Sequence, residues 1–241
     1  MHKYIVTVVE IEEVANNIRR YILTKPDGFT FNPGQYCWLA FPGREEDRSP
    51  MAIASGLKDN YIEFTIRKWG TFTTELFSKE ADIQLVMDGP HGTFFPLNFI
   101  DSTPIYLIGG GTGITPIKSL CLSTDKTSQI SIFYGAQQPN ALIFKNQIAN
   151  WGAEVHLTVD HSDGSWNGNI GLVTDLIKMN TIDPNGYAFI CGPTPMLKAV
   201  VNVLREKGLE DSKIYVSLER FDENGNVIGP VLPINDPIVG I

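Results

Sequence analysis

The stretch Ile105-Tyr-Leu-Ile-Gly-Gly-Gly-Thr-Gly-Ile-Thr-Pro-Ile117 decides the fold. An apolar run long enough for a buried strand breaks into four glycines within five residues, and a helix opens at Thr115-Pro116. Glycines in such a turn let backbone N–H groups approach a bulky anion with no Cβ in the way. The helix behind them adds unpaired N–H groups and the positive end of its dipole. The pattern recurs in Gly186-Tyr-Ala-Phe-Ile-Cys-Gly-Pro-Thr-Pro-Met-Leu197, read as strand, tight turn, Thr194 as N-cap and Pro195 at the first helical position. Two such turns in a parallel α/β sheet point to a nucleotide crevice.

Outward from that stretch, buried-strand runs at Ile105–Ile108, Ile130–Tyr134, Glu154–Val159, Ala188–Cys191 and Ile214–Leu218 alternate with helical stretches. The helices are expected at Ile117–Leu122, Ala141–Asn150, Leu172–Met179 and Met196–Lys207. This is the rhythm of a doubly wound, five-stranded parallel sheet over residues 101–220. Residues 1–100 have shorter, closer strands: Tyr4–Val9, Arg19–Thr24, Gln35–Phe41, Met51–Ser55 and Tyr61–Arg67, with one short helix at Phe72–Ser78. With turn signals at Asp27-Gly28, Pro33-Gly34 and Gly89-Pro90, they predict a small antiparallel β-barrel. The boundary falls at Asn98 to Thr103. Residues 221–241 read as an irregular tail or an extra hairpin.

The 241 residues carry 43% hydrophobic and 19% charged residues, an ordinary globular balance. A net charge of -8 without a Lys/Arg cluster argues against a nucleic-acid partner. Cys37, Cys121 and Cys191 lie far apart, which excludes a four-cysteine metal or iron–sulfur site within the chain and suits a reducing compartment. The first ten residues meet Glu10, Glu12 and Glu13 too soon for a signal peptide, and no apolar run reaches membrane-spanning length. The expectation is a cytoplasmic protein with no membrane span and no metal.

The ordinary dinucleotide fingerprint wants G-x-G-x-x-G and an acid about twenty residues later. Read from Gly109 the third glycine is replaced by Ile114, and read from Gly111 by Pro116; the next strand ends in Phe133-Tyr-Gly-Ala-Gln137, without an acid. The common dehydrogenase reading fails on both counts.

Six segments in order resemble the ferredoxin–NADP reductase superfamily. They are Phe31-Asn-Pro-Gly-Gln-Tyr36, Arg48-Ser-Pro-Met-Ala-Ile-Ala-Ser55, Ile66-Arg-Lys-Trp-Gly-Thr-Phe-Thr-Thr74, Gly89-Pro-His-Gly-Thr-Phe94, Gly109-Gly-Gly-Thr-Gly-Ile-Thr-Pro116 and Cys191-Gly-Pro193. Within it, His161-Ser-Asp-Gly-Ser-Trp-Asn-Gly168, Gly171-Leu-Val-Thr-Asp175 and Val216-Ser-Leu-Glu-Arg220 are similar to electron-transfer subunits such as that of dihydroorotate dehydrogenase. Those subunits continue into a cysteine cluster holding a two-iron centre; here Phe221-Asp-Glu-Asn-Gly-Asn-Val-Ile-Gly-Pro230 has no cysteine, so no such centre is expected.

The resemblance implies a flavoprotein oxidoreductase that passes a hydride from NADH or NADPH to FAD, and then electrons to a protein or small-molecule acceptor. It implies flavin contacts from Arg48, Ser49, Pro50, Met51, Ala52, Ile66, Lys68, Gly70, Thr73 and Thr74, with Arg48 on a phosphate. The alternative for Arg48 is a surface pair with Glu45, Glu46 or Asp47. Met51 and Ala52 stand where the family carries an aromatic and a Ser or Thr, a departure that keeps a second reading open: a non-catalytic flavin or nucleotide sensor, or an assembly subunit. Gly110, Gly111, Thr112, Gly113, Gly192 and Pro193 are expected to cradle the nicotinamide nucleotide. Cys191 and Glu219 are the catalytic candidates beside the nicotinamide, against buried packing for the one and a surface ion pair for the other. Gln137 and Gln138 after one strand and Asp160 after the next favour NADH, because Asp160 would repel a ribose phosphate. His91, His156 and His161 are too scattered for a metal set.

Overall fold

The computed structural model describes residues 3–96, 103–125, 129–217, 231–236 and 239. Its first half contains β1 (Lys3–Ala15), β2 (Ile18–Thr24), β3 (Tyr36–Ala40), β4 (Ser49–Ala52), β5 (Tyr61–Arg67), the helix α1 (Gly70–Leu76) and β6 (Gln84–His91). These strands form an antiparallel sheet in the order β4-β3-β6-β1-β2-β5. Just beyond β4 the chain turns back onto β5: Ile53 bridges Phe64, and Ala54 N–H donates to Glu63 O at 2.8 Å, closing the sheet into a barrel. The two-residue period of a strand sends Val8, Leu23, Leu39, Ile62, Phe64 and Ile66 into one barrel core. Glu63, Thr65 and Arg67 therefore lie on the outer face of β5.

The second half runs β7 (Ile105–Gly110), α2 (Ile114–Leu122), β8 (Ile130–Ala136), β9 (Glu154–Val159), β10 (Asn169–Ile170), α3 (Val173–Met179), β11 (Tyr187–Cys191), α4 (Thr194–Glu206), β12 (Ile214–Ser217) and β13 (Val231–Pro233). Among the described residues the sheet has the order β10-β9-β8-β7-β11-β12-β13, parallel up to β12, with β13 antiparallel to it. Alternation along β7 divides the core: Ile105 and Leu107 pack with α2, whereas Tyr106 and Ile108 pack with α3 and α4. No helix among the described residues is long and apolar enough to cross a membrane.

Several elements differ from the sequence reading. The five expected parallel strands form the centre of the sheet, and β10 and β13 extend it on either side. The expected helix Ala141–Asn150 is instead two 3₁₀ turns, Pro139–Ala141 and Ile148–Trp151. Leu142, Ile143 and Phe144 are all buried, which no single helix face allows, and Phe144 takes a left-handed φ of 60°. Gly89-Pro90 is no turn but part of β6, where the register against β3 shifts between Tyr36 and Trp38 and absorbs the proline. At α4 the N-cap is Pro193 rather than Thr194, which is already the first helical residue and makes no side-chain capping bond.

Candidate functional site

From β7 the chain moves outward through β8, β9 and β10, then returns to lay β11 along the other side of β7. The carboxyl ends of β7 and β11 are consequently neighbours, with Cys191 in register with Gly109. This is the switch point at which open α/β sheets place their ligand crevice. Both glycine turns leave the sheet there.

The glycines serve different purposes. A Cβ on Gly113 would lie 2.2 Å from Cys191 O and 2.5 Å from its carbonyl carbon, so the two turns interlock backbone to backbone. Gly110 and Gly192 both accommodate Met196, whose Sδ would be 2.3 and 2.9 Å from their added Cβ atoms. Gly111 is different. It has φ +56° and its Cβ position meets only Arg67 Nη2, 3.9 Å away. That turn is open on one side, and a cation from the barrel stands beside the opening.

On the barrel, Arg67, Lys68, Trp69, Gly70 and Thr71 form an exposed run between β5 and α1, and Thr74 is exposed one turn later. Gly70 has φ +82° with nothing within 4 Å of an added Cβ. The Thr73 hydroxyl is buried and turned back on its own helix start, where it accepts from Trp69 N–H at 2.6 Å. Ile66 points into the barrel core, leaving only its backbone toward the outside. Ser49, Pro50, Met51 and Ala52 are half-buried along β4; Met51 packs against the barrel core. Arg48 does not pair with Glu45, Glu46 or Asp47. Its guanidinium lies 4.5 Å over the Trp38 ring and 3.7 Å from Asp88 Oδ2, while the other oxygen of that carboxylate, Oδ1, lies 3.0 Å from His91 Nε2.

These features fit the two groups that the fold implies. The open left-handed turns at Gly70 and Gly111 leave room where any other side chain would intrude, and Lys68, Thr74, Arg48 and Arg67 supply donors suited to phosphate oxygens. Thr112 is half-buried in the same turn as Gly111, and Pro193 is exposed on the facing one. Cys191, half-buried at the end of β11, is the cysteine nearest the crevice. Cys37 and Cys121 are fully buried, and burial pushes both thiols up, Cys121 to about 12, which leaves them as inert packing. Glu219 lies outside the described residues.

Sequence reading passed over Arg67, although its signal is present: Glu63, Thr65 and Arg67 alternate with apolar Ile62, Phe64 and Ile66. It also passed over Lys118, which sits in α2 with a side chain 5% exposed and pairs with the fully buried Glu63. Burial pulls the Lys118 ammonium below its usual value, and Glu63 opposes that shift.

The family model of an FAD-binding domain matches residues 3–94, and that of an oxidoreductase NAD-binding domain matches residues 107–202. The chain is 32% identical to the probable dihydroorotate dehydrogenase B (NAD(+)) electron transfer subunit of Pyrococcus furiosus, over 96% of this chain and 87% of that one. It is 28% identical to the sulfhydrogenase 2 subunit gamma of the same organism, over 90% of this chain and 83% of the relative. Further curated relatives are longer, and the chain spans 60 to 66% of their length. A ferredoxin NADP+ reductase from Neisseria gonorrhoeae with bound FAD and NADP shares the fold at a TM-score of 0.74 and 17% identity, covering 94% of this chain and 97% of that one. The two domain matches in tandem, the 32% identity and the switch-point crevice beside a closed barrel lead to one assignment: this chain belongs to the FAD- and NAD(P)-binding oxidoreductases of the ferredoxin reductase family.

Proposed function

We propose that the chain draws reducing equivalents from NADH in preference to NADPH and delivers them from FAD to a separate protein. The observation that carries the reading is the interlocked pair of glycine turns at the switch point, open only at Gly111 and overlooked there by Arg67 of the barrel. When bound, the flavin supplies a two-electron acceptor for the hydride that leaves C4 of the dihydronicotinamide, which is oxidised as the flavin is reduced. The residues hold the partners. Gly111, Thr112 and Gly113 offer their backbone to the coenzyme diphosphate, and Arg67 adds a charge-assisted contact from the other side. Gly70, Thr74, Lys68 and Arg48 serve the flavin, with Met51 and Ala52 lying along the neighbouring strand. Cys191 lines the nicotinamide end.

The preference for NADH rests on the ends of β8 and β9, where exposed Gln137 and Gln138 and half-buried Asp160 follow. An acid there disfavours an extra phosphate. A protein acceptor agrees with the names of the relatives, one of which is an electron transfer subunit.

Anaerobic mixing of the FAD-loaded protein with each coenzyme tests this. NADH is expected to bleach the flavin with a kcat/KM at least tenfold above that of NADPH. Replacing Arg67 with alanine is expected to raise the NADH KM about tenfold, the worth of one charge-assisted contact of about 1.4 kcal/mol, with flavin content unchanged. A flavin that stays yellow with both coenzymes refutes the reading and favours a sensor or assembly role.

A further inference from the structure

The outer face of β5 and one face of the segment running from the glycine turn through α2 are matched in length and run antiparallel. Along β5 the outward residues are Glu63, Thr65 and Arg67, spaced by two. Along the facing segment they are Gly111, Thr115 and Lys118, spaced by four and three, the interval of one helical face. Arg67 meets Gly111 at one end and Glu63 meets Lys118 at the other. Four residues of strand and seven of mixed 3₁₀ and α-helix each cover about 12 to 13 Å, so the two ends come into register together.

The middle rung holds the Thr65 and Thr115 hydroxyls, both buried and without a hydrogen-bond partner among the described residues. The end rungs therefore carry the alignment. Beyond Lys118 the seam continues as Ser119 Oγ donating to Ser55 O at 2.7 Å, Leu57 N–H donating to Ser123 Oγ at 3.2 Å, and Gly56 abutting Leu122, whose Cβ would be 3.0 Å from an added Gly56 Cβ. Lys118 also lies 4.4 Å over the Phe144 ring, which ties it to the nucleotide-domain core. Glu63 keeps a second partner within the barrel, Arg20 Nε at 3.2 Å.

We infer that Glu63 and Lys118 are positioning residues for hydride transfer: their buried ion pair holds the glycine turn at a fixed height over the barrel face that bears the flavin contacts. The inference rests on the reductase reading above. Neither residue touches the crevice. They act through α2, which continues directly from the 3₁₀ turn Gly111–Gly113 of the glycine loop, and transfer between two bound rings is steeply sensitive to their separation.

Lys118→Met cuts the link across the seam and leaves the Glu63–Arg20 pair inside the barrel. In the FAD-loaded full chain it is expected to retain about one flavin per chain and an NADH Kd within about twofold of native. The rate of flavin bleaching at saturating NADH should fall tenfold or more, and amide exchange across Ile114–Leu122 should accelerate. Lys118→Arg, which keeps the charge and the ring contact, should bring the rate back to within about threefold. A purely structural role would lower the melting temperature without moving the rate of the folded, flavin-replete protein at saturation. Native-like bleaching in such a K118M sample, or unchanged exchange in α2, overturns the inference. Should K118M not fold, Lys118→Gln, which also leaves the Glu63–Arg20 pair in place, gives the same comparison. Absence of bleaching in the native protein would sink the reductase reading instead, and the exchange measurement would still decide whether this pair fastens α2 to the barrel.

Discussion

Alanine at Gly113 is expected to abolish measurable NADH binding, a loss of at least a hundredfold in affinity, while FAD content stays unchanged. The backbone at Gly113 has φ -61° and ψ -12°, which alanine adopts without penalty, so the whole effect is steric. The new methyl would stand 2.2 Å from Cys191 O and 2.9 Å from Gly192 N, and neither can rotate away. The turns after β7 and β11 must separate, and the crevice between them opens. Overpacking of this kind also costs about 1–3 kcal/mol of stability. Gly111→Ala makes the contrast. Its Cβ enters open space, and the left-handed φ costs about 1–2 kcal/mol, so that protein folds and loses affinity only about tenfold through intrusion on the coenzyme side. Calorimetric titration of both variants with NADH checks the ordering; native affinity in Gly113→Ala would remove the crevice assignment.

The second large effect is expected from Glu63→Gln. It leaves the buried Lys118 ammonium without its paired carboxylate, with only the weaker field of Asp59 remaining, whereas Arg20 retains Glu10 at 2.8 Å and Glu12 at 3.3 Å. Breaking one side of a buried pair costs about 3–5 kcal/mol, which for a chain of this size lowers the melting temperature by roughly 10 °C. The deficit depends on pH in a defined direction. Burial already holds Lys118 below its ordinary value of 10.5, and removal of Glu63 deletes the largest opposing influence. Between the folded value and 10.5 the unfolded chain binds more protons than the folded one, so stability rises with pH across that window. Melting temperatures of native protein and variant at pH 7 and pH 9.5 should converge at the higher pH. A deficit that stays constant or widens would mean that Lys118 is not the group left stranded.

The crevice was readable because glycine has few reasons to cluster at a strand end, and each of Gly110, Gly111, Gly113 and Gly192 meets a constraint that another residue would violate. The five parallel strands were readable from unbroken apolar runs. The stretch 139–151 was not, since its apolar residues suit a helix in composition while their burial on all sides requires irregular chain. β6 was hidden by Gly89-Pro90, a pair that ordinarily signals a turn and here occupies a register shift beside Cys37. The seam residues escaped for another reason. Nothing local marks Glu63 or Lys118, 55 residues apart, as partners; only the packed fold brings two polar residues into one buried pair.

Residues beyond Arg220 were read as irregular surface chain or an extra hairpin; among the described ones, Val231–Pro233 form β13, antiparallel to β12 of the sheet. It is also more. Val231 N–H donates to Thr93 Oγ1 at 3.0 Å, and the same hydroxyl donates to Val231 O, joining positions 138 residues apart. Val231 Cγ2 reaches the Gly34 turn of the barrel, 3.0 Å from where a Cβ would stand there. One short strand thus belongs to the sheet by its backbone ladder and to the barrel by a threonine and a glycine. Contacts between such distant points close the longest loops and are the slowest to form. A chain emerging from synthesis can shape its barrel and most of its sheet, but it gains this clasp only after Pro233 has arrived, so maturation of the two-part frame waits on residues 231–233.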